Sequence, residues 1–218
     1  MRLFETGRGL AVGTMLAVIM LSPNLASAGT SARGELEEFF GRAIAIRSEA
    51  TTAKQARDDV RGLARALFDG RTASRQALGR EWNQRTRAER DEFARAFTDV
   101  LERAYVDIVQ ARLPRDRPPA IRVIGEDISG DRAAVVRTKV QTRDGGDVQL
   151  DYKMNRPGKA WLIRDVVIDG VSLVENYRAQ FARVLRRSSY AELLERLRVV
   201  AGTGAETTGA ASRRTTAR

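Results

Sequence analysis

The chain has 218 residues, with 38 Lys and Arg against 28 Asp and Glu, a formal charge of +10, and neither His nor Cys. Those absences remove the commonest general base, the thiol nucleophile, disulfides and the usual zinc and copper ligands. A hydrophobic content of 43% is ordinary for a globular chain, and the length suits one domain.

Residues 1–28 read as an export leader: Arg2 and Arg8, an apolar run from Leu10 to Leu21, Pro23, then Ala26-Ser27-Ala28 as a cleavage site. The run falls short of the ~20 residues that span a bilayer. From Ala201 to Arg218 only Gly, Ala, Thr, Ser, Glu and Arg occur. That tail is expected to be disordered because it has nothing to bury. The domain is therefore placed at 29–200. Its basic balance in an exported protein points to anionic headgroups or acidic partners rather than nucleic acid, or to no more than a solvated surface. Arg is not interleaved with aromatics as single-strand binding requires.

The first half carries helical periodicity. Glu35–Arg47 has an apolar stripe at Leu36, Phe39, Phe40, Ala43 and Ile44, and Ala53–Phe68 has another at Val60, Leu63, Ala64 and Leu67. Ser74–Trp82 is a shorter helix. Thr86 and Glu89 form a capping box. It opens a long helix to about Ala111, with Phe93, Phe97, Leu101, Tyr105 and Ile108 nearly every fourth residue. Pro114, Pro118 and Pro119 end it.

After Ala120 the period becomes two. Strands are expected at Ile121–Ile128, Ala133–Thr142, 148–155 and Ala160–Ile168, with hairpin turns at Asp144-Gly145-Gly146 and Asn155–Gly158. Val136 and Val140 share an apolar face, as do Leu150 and Tyr152, and Trp161 with Ile163. Helices at Ser172–Arg187 and Tyr190–Val199 finish the domain, capped by Ser172 and Ser189. Helices, an antiparallel meander, then helices make an α+β domain with one face of its sheet covered.

No catalytic constellation stands out. Gly170-Val171-Ser172 lacks the second Gly of a nucleophile elbow and has no His as base. Ser172 reads better as a helix cap. Asp165 and Asp169 sit at a strand end and a turn, where Asp commonly bonds backbone. Arg42, Arg47, Arg57 and Arg61 read as a solvated face rather than a phosphate clamp. The remaining feature is a set of large apolar side chains on the long helix, the strands and the helix after them. Periodicity alone does not separate a filled core from a lined cavity, and by itself it favours the core.

The segments TRAERDEFARAFTDVLERAY (86–105), LDYKM (150–154) and WLIRDVVIDGVSLVENYRAQF (161–181) resemble the MlaC, or toluene-tolerance, family of periplasmic phospholipid-binding proteins, which includes the hopanoid-associated HpnM proteins. The resemblance covers about Leu36 to Leu197. It implies a helix-wrapped, curved antiparallel sheet, cone-like with an apolar cavity. It implies no catalytic residue, no metal and no cofactor beyond a phospholipid or hopanoid cargo. The implied protein is a monomer that shuttles lipid between an outer-membrane lipoprotein complex and an inner-membrane MCE-domain/ABC transporter. It assigns lipid contact to Phe93, Phe97, Leu101, Tyr105, Val136, Val140, Leu150, Tyr152, Trp161, Ile163, Tyr177 and Phe181. An enzyme on the same cone fold would need an ionisable group on the pocket floor. An adaptor binding an acidic protein through the basic face would need a filled interior.

Overall fold

The computed structural model describes residues 31–114 and 119–202. The expected leader, nearly all of the expected C-terminal tail, and Pro118 lie outside those residues.

Five helices come first. They are α1 (Ala32–Glu49), α2 (Ala53–Leu67), α3 (Gly70–Leu78), α4 (Arg80–Gln84) and α5 (Arg87–Arg112). Each start is chemically marked except that of α4. The side chains of Ser31, Thr52 and Asp69 accept from backbone amides in the first turns of α1, α2 and α3. Thr86 and Glu89 complete the expected capping box of α5: the Glu89 amide donates to Thr86 Oγ1 at 3.2 Å, and the Thr86 amide to Glu89 Oε2 at 2.7 Å. The single helix expected over Ser74–Trp82 is instead split. Gly79 takes φ +60° between α3 and α4, a conformation that ends a helix and suits glycine.

The meander follows as β1 (Ile121–Ser129), β2 (Ala133–Gln141), β3 (Asp147–Asn155), β4 (Leu162–Ile168) and a two-residue β5 (Val171–Ser172). The strands pair antiparallel in chain order. Alternation in β2 and β3 is strict. Ala134, Val136, Thr138 and Val140 are buried, as are Val148, Leu150, Tyr152 and Met154, while the residues between them face outward. Thr138 is accommodated inside because its hydroxyl donates to the Leu150 carbonyl at 3.0 Å. The alternation fails in β4. The register shifts between Lys153 and Met154, so Arg164 is an extra residue and Asp165 and Val166 are both buried.

Two helices, α6 (Leu173–Leu185) and α7 (Tyr190–Gly202), close the domain. Ser172 and Ser189 accept from the amides of Glu175 and Glu192, as expected of caps. The result is an α+β fold: an open five-stranded antiparallel sheet with its apolar face against helices. Its long central support is α5, which packs on α3 and α7 and whose C-terminal part reaches the sheet.

Candidate functional site

The apolar core divides into two regions of different character. In the first, rings fill the space between α5, α6 and α7. Phe97 lies 5.1 Å from Phe181 and 5.3 Å from Tyr177, both edge-on. Phe93 meets Phe181 at 5.7 Å and Tyr190 at 6.2 Å. These are the spacings of packed aromatic pairs. The apolar crevices between α1, α5 and the sheet border none of Phe93, Phe97, Tyr177 and Phe181.

The second region is a pocket between α1, the C-terminal half of α5 and the inner face of β1–β3. It encloses about 550 Å³, open solvent at the mouth included, of which only about 50 Å³ clears the walls by a water radius. Its lining is almost wholly hydrocarbon. Phe39, Phe40, Tyr105, Val106, Val140, Leu150 and Tyr152 form the buried walls, and Ala43, Ile44, Val109 and Ile121 the half-exposed rim. A smaller, narrower crevice shares Val109, Leu113, Val140 and Leu150 with it and continues toward Val148 and Ile168.

Local sequence explains these walls. Phe40, Ala43, Ile44 and Arg47 recur at helical spacing on α1, as Tyr105, Val109 and Leu113 do on α5. Val140, Leu150 and Tyr152 sit on the inward face of the strict alternation. The sheet register sets Val136 opposite Tyr152 and Thr138 opposite Leu150.

Two polar features interrupt the hydrocarbon. At the rim, Arg47 Nη2 donates to the Pro114 carbonyl at 3.0 Å, bridging the ends of α1 and α5. On the floor, the hydroxyls of Tyr105 and Tyr152 are 2.9 Å apart. Burial pushes Tyr105 up to about 12 and Tyr152 well above the usual phenol range, so both stay neutral at any ordinary pH.

Of the twelve side chains that the resemblance assigned to lipid, the structure brings Tyr105, Val140, Leu150 and Tyr152 together on the pocket wall. Leu101, Val136, Trp161 and Ile163 are buried in the continuous core and do not line it, and the remaining four belong to the ring cluster. Sequence reasoning missed Phe39, Phe40, Ile44, Val106, Val109, Leu113 and Ile121 as wall residues. It also read Arg47 as solvated surface. The usable signals were the neighbouring Phe39 and Phe40, and the α5 stripe continuing past Tyr105 to Val109 and Leu113.

The acidic candidates are structural. Asp165 is 1% exposed and accepts from Lys153 Nζ at 3.0 Å, the Ser172 hydroxyl at 2.7 Å and the Val174 amide at 3.1 Å. It therefore ties β4 to the start of α6. Asp169, at φ +48°, accepts from Arg112 and the Gln149 amide. Glu102 is fully buried and accepts from Arg65 Nε through both oxygens at 3.2 Å. None of these groups lines the apolar pocket. Among the described residues no cluster of metal-ligating side chains occurs, and no helix is long and apolar enough to cross a membrane.

The family described as MlaC protein matches residues 42–199. No curated protein matches the chain. Among solved structures, the phospholipid-binding protein from Ralstonia solanacearum, determined in complex with a phospholipid, superposes with a TM-score of 0.63 at 21% identity. The match covers 81% of this chain and 97% of that one. At that identity the likeness establishes a shared fold.

Proposed function

The chain belongs to the MlaC family, and from that premise we propose that it is a periplasmic lipid carrier. It holds the acyl chains of a phospholipid, or of a hopanoid-type lipid, in the pocket between α1, α5 and the sheet. It passes that cargo between the outer membrane and an inner-membrane MCE-domain/ABC transporter complex. The observation that carries the reading is the pocket itself, a hydrocarbon-walled space with a single cation, Arg47, among its lining residues.

The energetics suit such a carrier. Each methylene withdrawn from water is worth ~0.8 kcal/mol, so two chains of about 16 carbons require roughly 25 kcal/mol of shelter. Walls of Phe, Val, Leu and Ile come close to the bilayer interior, so cargo can move either way at small net cost. The direction of transport then rests with the partners. The narrow crevice must widen to admit two chains, and α1 is the natural moving wall. It packs mainly on α2 and touches the sheet lightly at β1 and β2. Arg47 at the rim can offer its guanidinium to a phosphate by exchanging it for the Pro114 carbonyl.

The test is direct. Protein purified from producing cells without detergent is analysed by native mass spectrometry and by organic extraction. One phospholipid-class molecule per chain, together with uptake of phospholipid from vesicles, is expected. Protein that carries no lipid and takes none from vesicles would sink the reading.

A further inference from the structure

The floor of the pocket holds a donor that the protein does not use. Tyr105 from α5 and Tyr152 from β3 are 4% and 0% exposed, and both line the pocket. Their hydroxyls bond only to each other among the described residues, at 2.9 Å. Two phenols bring two hydrogens, and one bond between them consumes one. Whichever hydroxyl donates, the other keeps its hydrogen with no oxygen or nitrogen of the described residues bonded to it. The neighbouring rings, Phe40 edge-on to Tyr152 and Phe68 edge-on to Tyr105, offer at most a weak acceptor. A buried hydroxyl hydrogen with no acceptor carries a desolvation cost. Phe at both positions would have filled the same space at no such cost.

We propose that the Tyr105–Tyr152 pair recognises one acceptor oxygen carried within the hydrocarbon part of the cargo, as in a lipid bearing a hydroxyl or keto group far from its headgroup. This rests on the lipid-carrier reading and adds a chemical selectivity to it. The depth fits a mid-to-distal position. From Tyr105 to Leu113 at the rim end of α5 is eight residues, about 12 Å of helix. One leaflet of a ~30 Å hydrocarbon core gives a chain about 15 Å.

The pair makes an unusual pattern in a mutant series. The wild type has one spare donor. Tyr105→Phe and Tyr152→Phe each leave one hydroxyl, again with one spare donor. Only the double variant has none, and replacing both partners by apolar groups of the same shape is close to neutral for folding. The probes are octadecanoate and its 10-hydroxy and 12-hydroxy derivatives, measured by displacement of a fluorescent fatty acid. Folding is checked by thermal melts. At least one hydroxylated chain should bind about five-fold tighter than the plain chain to the wild type and to both single variants. In the double variant the preference should reverse, because the chain's hydroxyl then has no partner. Equal binding of plain and hydroxylated chains by the wild type, or an unchanged preference in the double variant, overturns the proposal. If phospholipid uptake from vesicles is intact, that result overturns this inference alone. Failure to bind either octadecanoate or phospholipid overturns the carrier reading with it.

Discussion

Leu150→Ala and Phe97→Leu offer a paired perturbation that separates pocket wall from packed core. Leu150 is 2% exposed and borders both crevices. Phe97 is fully buried and hemmed by Tyr177 and Phe181 at 5.3 and 5.1 Å. Truncating Leu150 removes three carbons. Because its surroundings already include open space, the cost should fall at the low end of the Leu→Ala range, about 2–3 kcal/mol. Phe97→Leu should cost about 1–3 kcal/mol, including the lost ring contacts. The decisive measurement repeats both denaturant titrations with saturating dioleoylphosphatidylglycerol. A hydrocarbon chain in the pocket can occupy the volume Leu150 vacates and recover part of ~0.8 kcal/mol per carbon, so the variant's deficit should shrink by about 1–2 kcal/mol. The Phe97→Leu deficit should not change, since neither crevice borders that ring. Equal response of the two variants to lipid would refute the division of the core described above.

Arg47→Gln should weaken phospholipid binding about ten-fold and reduce its salt sensitivity, while binding of uncharged diacylglycerol is unchanged; vesicle-transfer assays at two ionic strengths check this. Glu102→Gln should alter the pH dependence of stability. Burial, opposed by Arg65, raises the Glu102 carboxyl above its ordinary range. The folded chain therefore keeps that proton to higher pH than the unfolded chain, and the wild type loses stability as pH rises through the interval. Stability of the wild type minus that of the variant, from denaturant midpoints at about pH 4 and about 7, should fall with pH. A difference that rises instead would mean Arg65 dominates. Thr86→Ala should cost about 1 kcal/mol by thermal melt, because the Glu89 amide loses its acceptor.

The fold was legible where one local rule acted alone. The capping box at Thr86 fixed the start of α5, and the alternation of β2 and β3 fixed which residues face inward. It was not legible where tertiary context decided. Gly79 could have stayed helical; only its +60° φ separates α3 from α4. The extra residue at Arg164 follows from pairing with β3, and Asp165 is buried because Lys153, Ser172 and the Val174 amide converge on it. The pocket was half legible. The stripe containing Phe93, Phe97, Leu101 and Tyr105 is continuous in sequence, but what covers it changes along the helix. The α6 and α7 rings fill one end, and α1 leans over the other. Periodicity reports which way a side chain points and is silent on whether its opposite number arrives.

The length of α5 gives this division a mechanical meaning. At 26 residues the helix is about 39 Å long, and it runs through both regions as one unbroken rod. On the carrier reading, its start is gripped by interlocked rings and serves as a fixed door post, with α1 as the leaf that would swing against it. Stapling α1 to the far end of α5 should then lock the compartment shut, whereas stapling α5 to α6 should leave traffic untouched.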